Sequence, residues 1–354
     1  MKDILHLTPE RVMFLGALTA FAWNLKILWG AVIDRILTKK IWIFISLSGS
    51  LAIALYLGLL LPEKRFNLNL LIIILSIASL FTCLRDIALD GASCIFGKEN
   101  NNLSRIQSIQ WGSIIISSII VGVCGGWIAQ NSNYRVGFLS LIPFYILLGI
   151  VALLYREGRQ NIDNKKPTLI SYASLFKNKN FILVCLFVLL YNFNPSFGTV
   201  LGYKIRDEFK WSEQFIGNLS AISSLCSLVG VFLFYKIGDK INLKNWLYWS
   251  VFVGAITTLG YLWFVPVSAI AYDITFSMIG TFIRLLMLTF IAKQVIVGLE
   301  STSFATLCGI VNLAGTLSLL AGSKLLPMLG YNNLVLLSAI TSFACLPLLK
   351  RLND

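Results

Sequence analysis

The sequence predicts an all-α polytopic membrane protein of about eleven spanning helices arranged as two bundles. Three observations lead there. Hydrophobic residues make up 57% of the 354 residues and charged residues 13%, with a mean hydropathy of +0.80, whereas a soluble chain carries about 25% charged residues. The apolar residues come in stretches of roughly 20, the helix length that crosses ~30 Å of hydrocarbon, without the period-two alternation of a membrane barrel. A charged signature also occurs twice, 205 residues apart: Trp29-Gly30-Ala31-Val32-Ile33-Asp34-Arg35 with Lys39-Lys40, and Lys236-Ile237-Gly238-Asp239-Lys240 with Lys244.

The first apolar stretch, 11–33, follows a polar segment (Lys2, Asp3, His6, Glu10, Arg11) that lacks the apolar core of a signal peptide. It carries Lys26 and closes on the first signature. Stretches at 41–61 and 69–96 follow, the latter holding Arg85, Asp86 and Asp90. The next, 106–129, contains Trp111 and the spacing Gly122-xxx-Gly126, which lets helices approach closely. The fifth is 135–155. Residues 156–180 then form a basic linker (Arg156, Arg159, Lys165, Lys166, Lys177, Lys179), solvated beside anionic headgroups. Six stretches follow it. They are 181–203, with Tyr191, Phe193, Phe197 and Gly198-xxx-Gly202; 214–235, ending at the second signature; 246–265; 268–297, with Asp273 and Arg284; 302–327, preceded by Glu300; and 332–348. The expected organisation is an N-terminal bundle 1–155, a linker 156–180 and a C-terminal bundle 181–354.

Counting helices before each signature turns the pair into a ruler. Two stretches of the second half precede Asp239, but one precedes Asp34. Many secondary transporters consist of two six-helix halves related by an axis along the membrane normal. The expectation is therefore that 11–33 corresponds to the second helix of a twelve-helix carrier and that the opening helix is missing. With the Asp34–Lys40 loop cytoplasmic, 17 Lys/Arg fall on that side, 8 outside and 4 within spans, as the positive-inside rule requires. The net charge of +13 thus reports membrane orientation rather than nucleic-acid binding.

An ionisable residue inside a span costs about 2.5–3.5 kcal/mol, so each needs a reason. Asp86 and Asp90 are four apart and share a helix face, with Arg85 turned about 100° away. Such a cluster binds a cationic or amide-rich group, takes up a proton, or locks a helix. Arg284 lies mid-span with Asp273 three turns earlier, and a guanidinium there suits an anionic substrate group. Lys26 can pair with Asp86 or Asp90. Lys324, near a helix end, snorkels. Glu300 suits a helix N-terminus. The repeated Asp34-Arg35 and Asp239-Lys240 pairs, with Gly30, Lys39 and Lys40, read as loops with a conformational role. Trp23, Trp111, Tyr191, Phe193 and Phe197 offer stacking surfaces for a planar ligand. The seven cysteines (83, 94, 124, 185, 226, 308, 345) lack metal-ligand spacing and read as packing. No catalytic residues, metal or cofactor are expected, because nothing resembles a nucleotide loop, a ligand set or a nucleophile with its base.

These residues resemble a known family. Gly30-xxx-Asp34-Arg35 with Lys39-Lys40 is similar to the loop between helices two and three of the major facilitator superfamily. More narrowly, the chain resembles folate-biopterin transporters. The matching pieces are Trp23-Asn24-Leu25-Lys26-Ile27-Leu28-Trp29-Gly30, Asp86-Ile87-Ala88-Leu89-Asp90-Gly91, Gln107-Ser108-Ile109-Gln110-Trp111, Pro195-Ser196-Phe197, Phe215-Ile216-Gly217 and Glu300-Ser301-Thr302-Ser303-Phe304-Ala305 running on to Asn312. The resemblance implies a carrier of folates or related pterins in a cytoplasmic (inner) or plastid-type envelope membrane, coupled to an ion gradient, with protons a candidate. It maps Lys26, Asp86 and Asp90 onto charged family positions and Asp34-Arg35 onto a cytoplasmic gating loop. Ser93-Cys94-Ile95-Phe96 departs from the charged pattern that follows Asp90 in the family. A muropeptide-type permease and a non-transporting paralogue are the alternatives.

Overall fold

The computed structural model describes residues 21–60, 68–155, 175–198, 201, 205 and 208–352. The described residues are helical in the order α1 (Phe21–Asn24), α2 (Lys26–Ile36), α3 (Lys39–Leu55), α4 (Leu68–Glu99), α5 (Leu103–Asn131), α6 (Tyr134–Leu139), α7 (Ile142–Leu154), α8 (Lys179–Asn192), α9 (Glu213–Ile237), α10 (Leu243–Gly260), α11 (Pro266–Lys293), α12 (Glu300–Thr341) and α13 (Leu346–Arg351). Polar residues outside the apolar runs start the helices, as their side-chain oxygens satisfy first-turn N–H groups. Thr38 accepts from Ile41, Asn133 from Val136, Ser212 from Phe215 and Asn242 from Asn245. Pro266 opens α11, where a missing N–H costs nothing.

Seven helices among the described residues are long and apolar enough to cross a membrane. The range given as α12 holds two helices, one for each of the expected stretches 302–327 and 332–348, and the helix is broken between them at Gly330, where φ is 72°. The stretch 181–203 is interrupted after Asn192, where Pro195 removes a backbone donor, and is helical again at Gly198 and Leu201. Of 11–33, only the part from Phe21 lies among the described residues.

The described residues form two compact units. Unit one takes its residues from 1–96, 120–172 and 295–306, and unit two from 97–119, 173–294 and 307–354. In unit one, α3 packs on α7, around a core of Ile33, Ile43, Leu47, Cys83, Leu84, Ile87 and Ala88.

In unit two, α9 lies along α11. Small residues on one face of α9 make the approach possible. Ser223 donates to Asp273, Ser227 donates to the Ser277 carbonyl at 3.2 Å, and a Cβ at Gly230 would strike the Met278 carbonyl. Close backbone approach of this kind holds helices together where both apolar faces are equally happy in lipid. At Gly122 a Cβ would meet nothing within 4 Å, and at Gly198 only Ser196 Oγ at 3.7 Å. Among the described residues, Gly122 and Gly198 are thus not where backbones meet, and Gly202 lies outside them.

The non-helical stretch Phe193–Phe197 poses the problem of unsatisfied backbone in an apolar setting. Unit two solves it locally. The Asn194 N–H donates to Ser318 Oγ at 3.0 Å, the Ser196 N–H to the Ser318 carbonyl at 2.9 Å, and Ser338 Oγ donates to the Pro195 carbonyl at 2.6 Å. Gly322 lets the Ser196 backbone lie against α12.

Candidate functional site

The helical run entering unit one breaks at Leu25, between α1 and α2. The break exposes the Ala22 carbonyl, which accepts from Trp29 Nε1 at 3.2 Å and from Cys83 Sγ at 3.5 Å. Lys26 leaves the chain one residue after the break and reaches α4. Its Nζ donates to Asp86 Oδ2 at 2.7 Å and to Asp90 Oδ2 at 3.0 Å. The i, i+4 spacing stacks the two carboxylates one turn apart on one face of α4. The Lys26 side chain is 7% exposed, Asp90 14% and Asp86 37%. With all three ionised, the triad carries one net negative charge and opens through Asp86. A ligand N–H or a proton arriving at Asp86 leaves Lys26 its second partner, so the cluster can change its bonding without stranding a charge.

Arg85 makes no ion pair with this cluster among the described residues. Its Nη1 lies 3.5 Å from Ser50 Oγ on α3, and its guanidinium 6.0 Å from the Tyr145 ring centroid on α7. Trp23 sits 5.8 Å from Lys26 Nζ and walls the triad.

In unit two, Arg284 places its guanidinium over the Trp111 ring at 4.9 Å, within the range where the ring quadrupole attracts a cation. No carboxylate among the described residues lies within ion-pair distance of it. Asp273 binds Ser223 on α9 instead of Arg284. Of the other aromatic candidates, Tyr191 and Phe197 pack into the protein, and Phe193 is half-buried. The Tyr191 hydroxyl meets Ser250 Oγ at 2.6 Å, and Phe197 lies against Tyr261 and Tyr331. Lys324 is exposed. His6 lies outside the described residues.

The two signatures make parallel contacts. Asp34 Oδ1 accepts from the Ser301 N–H at 3.2 Å, and Oδ2 from the Thr302 N–H at 2.8 Å and Thr302 Oγ1 at 2.7 Å. Lys39 Nζ lies 3.7 Å from the same carboxylate, which is 1% exposed. Asp239 Oδ1 accepts from the Ser104 N–H at 3.1 Å and Ser104 Oγ at 2.6 Å, and Arg105 Nε lies 3.3 Å from Oδ2. Each aspartate thus meets orphan donors at the N-terminus of a helix, α12 or α5, where the dipole favours an anion. A lysine completes each loop. Lys40 Nζ donates to the Leu153 and Tyr155 carbonyls at 3.0 and 2.6 Å, at the end of α7. Lys244 Nζ donates to the Leu352 carbonyl at 2.6 Å, just past α13. Gly30 brings α2 onto the start of α12, where a Cβ would lie 2.9 Å from Thr302 Cα. Arg35 and Lys240 are exposed.

Ser104, Arg105, Ser301 and Thr302 make these contacts without being among the residues expected to act. The available signal was a hydroxyl residue at the start of an apolar run, a cap signature easily read as purely local. Glu300, expected at a helix N-terminus, accepts from the Gly298 N–H at 2.8 Å, where the chain turns at φ +82°.

The family model of the Major Facilitator Superfamily matches residues 1–323. The chain belongs to this superfamily. It is a multi-pass integral membrane protein and a transporter, not an enzyme. Its fold is similar to that of the transporter FucP in the outward conformation (TM-score 0.72, 13% identity, 99% of this chain and 92% of that one). It is also similar to a bacterial homologue of the iron transporter ferroportin in an outward-facing state (TM-score 0.66, 16% identity, 99% and 92%). In sequence it is similar to the folate-biopterin transporter of Synechocystis, at 25% identity over 98% of this chain and 74% of that protein. It is likewise similar to folate transporter 1 of Plasmodium falciparum, at 21% identity over 92% and 67%.

Proposed function

We propose that the protein is a secondary transporter that moves folate or a related pterin by alternating access, coupled to an ion gradient with protons as the candidate ion. The observation that carries the reading is the triad of Lys26, Asp86 and Asp90, an intramembrane cluster with one surplus negative charge and a partly open carboxylate. A pterin presents adjacent amino and ring N–H donors, which a carboxylate accepts as a pair. Asp86 is the proposed contact or proton acceptor, with Asp90 and Lys26 balancing it. Arg284, held over Trp111, is the proposed partner of an anionic substrate group. Arg85 and Asp273 are proposed to hold helices in place from the edges of the two sites. The similarity to the Synechocystis and Plasmodium proteins supports the cargo class.

The proposed organisation is two bundles, 1–155 and 181–354, joined by the basic linker 156–180. Gly30, Asp34, Arg35, Lys39, Lys40, Asp239 and Lys240 belong to gating loops on its lysine-rich side. That side faces the cytoplasm in an inner or plastid-type envelope membrane.

The test is uptake in cells expressing the chain, with labelled folic acid, a reduced folate, biopterin and a muropeptide in parallel. Saturable uptake of a folate or pterin that Asp86→Asn abolishes is the expected result. Uptake of the muropeptide alone, or of nothing by a correctly inserted protein, overturns the reading.

A further inference from the structure

Arg284 and Trp111 both belong to unit two, on the apolar helical spans Pro266–Lys293 (α11) and Leu103–Gly125 (within α5). Around Arg284 the helix is otherwise closed. Thr281, Leu285, Leu286 and Met287 are buried, whereas Arg284 is exposed. An ionised side chain within a span faces a cavity or a partner. On α5, the residue after Trp111 fixes the helix in place. A Cβ at Gly112 would lie 3.2 Å from Val231 Cγ1, so the α5 backbone runs close against α9 there.

The Arg284 guanidinium lies 4.9 Å from the Trp111 ring centroid. Among the described residues it makes neither an ion pair nor a hydrogen bond. The kind of partner matters. A carboxylate would occupy two of the five guanidinium N–H groups. A ring face attracts the charge and occupies none of them. Lys26 shows the other arrangement, with its ammonium committed to Asp86 and Asp90 at 2.7 and 3.0 Å. Arg284 is thus a cation held in position with its hydrogen-bonding capacity intact.

We propose that Arg284 and Trp111 form a carboxylate seat in which Trp111 is the positioning residue, and that its occupant is the glutamate tail of a conjugated folate. The identity of the cargo rests on the folate reading above. The chemistry of the seat rests on the contact itself.

The guanidinium fork presents paired N–H groups that match the two oxygens of a carboxylate, a match that a lysine ammonium does not reproduce. A free pterin has no carboxylate to offer. A folate carries two, on the glutamate at the end of its aminobenzoyl arm. The seat therefore separates conjugated from unconjugated cargo. While it is empty, the Trp111 ring holds the cation in an apolar setting without competing for its N–H groups. The same ring fixes where an arriving carboxylate must lie.

The test uses the purified full chain and N-benzoylglutamate, which carries the tail without the pterin, against its uncharged diamide. Saturation-transfer NMR reads the binding of each. The expected result is saturable binding of benzoylglutamate, with the diamide about tenfold weaker or more. Trp111→Leu weakens benzoylglutamate binding about tenfold and leaves the diamide unchanged, while Trp111→Phe, which keeps a ring face, stays within about threefold of the parent. A purely structural role for Trp111 would weaken both probes together. Arg284→Lys, which keeps the charge without the fork, stands in if Trp111→Leu does not fold, and narrows the same preference. Absence of benzoylglutamate binding by the parent, equal binding of the diamide, or parallel loss of both probes overturns the proposal. Uptake of labelled folic acid and biopterin separates the two readings. Benzoylglutamate binding without uptake of either supports the seat and removes the folate reading. Folic acid uptake by Trp111→Leu at the parental KM overturns the seat and leaves the folate reading in place.

Discussion

Lys26→Met puts the triad under the sharpest stress. The side chain stays unbranched, one heavy atom shorter, and loses its charge, leaving Asp86 and Asp90 facing each other along one turn of α4. Removing one partner of a buried ion pair costs about 3–5 kcal/mol. The three exposures grade that cost. Lys26 and Asp90 are 7% and 14% exposed, so their pairing sits near this range. The Asp86 side chain, 37% exposed, is screened by solvent and contributes about 1 kcal/mol or less. The expected order of destabilisation is therefore Lys26→Met, then Asp90→Asn, then Asp86→Asn. Adding Asp90→Asn to Lys26→Met recovers about 1–3 kcal/mol, because the dry carboxylate is no longer stranded. Thermal unfolding of the purified proteins reads this as five melting temperatures, those of the parent, the three single variants and the double variant. A Lys26→Met protein as stable as the parent, or a double variant less stable than both singles, refutes the reasoning. Asp86→Asn then separates stability from transport, as it is expected to melt near the parent and to carry no substrate.

Asp34→Asn keeps the shape of the cap but removes its charge, which costs about 1–2 kcal/mol at a buried helix N-terminus. Hydrogen exchange of the peptide containing Ser301–Phe304 is expected to accelerate about tenfold, with the centre of α12 unchanged. Arg284→Gln leaves Trp111 without its cation and is expected to lower uptake of a carboxylated folate far more than of unconjugated biopterin. Equal effects on the two would remove Arg284 from the substrate site. Gly230→Val and Gly322→Val drive a side chain into the Met278 and Ser196 carbonyls and are expected to abolish folded yield. Gly122→Ala, whose Cβ meets nothing within 4 Å, is expected to stay within about 0.5 kcal/mol of the parent.

What could be read in advance was whatever depends on a single helix. The apolar runs, the shared face of Asp86 and Asp90 and the sideways direction of Arg85 follow from helical periodicity alone. Pairings between helices were less legible. Lys26 was a candidate partner for Asp86 or Asp90 because it was an intramembrane cation of opposite sign, and it serves both. Arg284 and Asp273 share one face of one helix, but nothing in that helix indicates that Trp111 and Ser223 are their neighbours. A residue's face is set by its own helix, while its partner is set by whichever helix arrives opposite. The glycines show the same limit. The spacing at Gly122 is a general license for close approach, whereas Gly230 and Gly322 are recognisable only from the carbonyl each one faces.

The two signatures show why acid precedes lysine in each loop. A helix presents bare N–H groups at its start and bare carbonyls at its end. Asp34 answers the first need at α12, and Lys40 the second at the end of α7. Asp239 and Lys244 do the same at α5 and just past α13. A loop with only one of these charges would hold only one helix end. The sequence distances are long, 268 residues from Asp34 to Thr302 and 135 from Asp239 to Ser104, so neither contact is local capping. Each aspartate instead secures a helix from the other half of the sequence. A contact made of a few charge-assisted hydrogen bonds, each about 1.5–3 kcal/mol, is strong enough to hold one arrangement. In the alternating-access cycle we propose, it is also weak enough to be exchanged for another, which a buried apolar interface of the same reach would not permit.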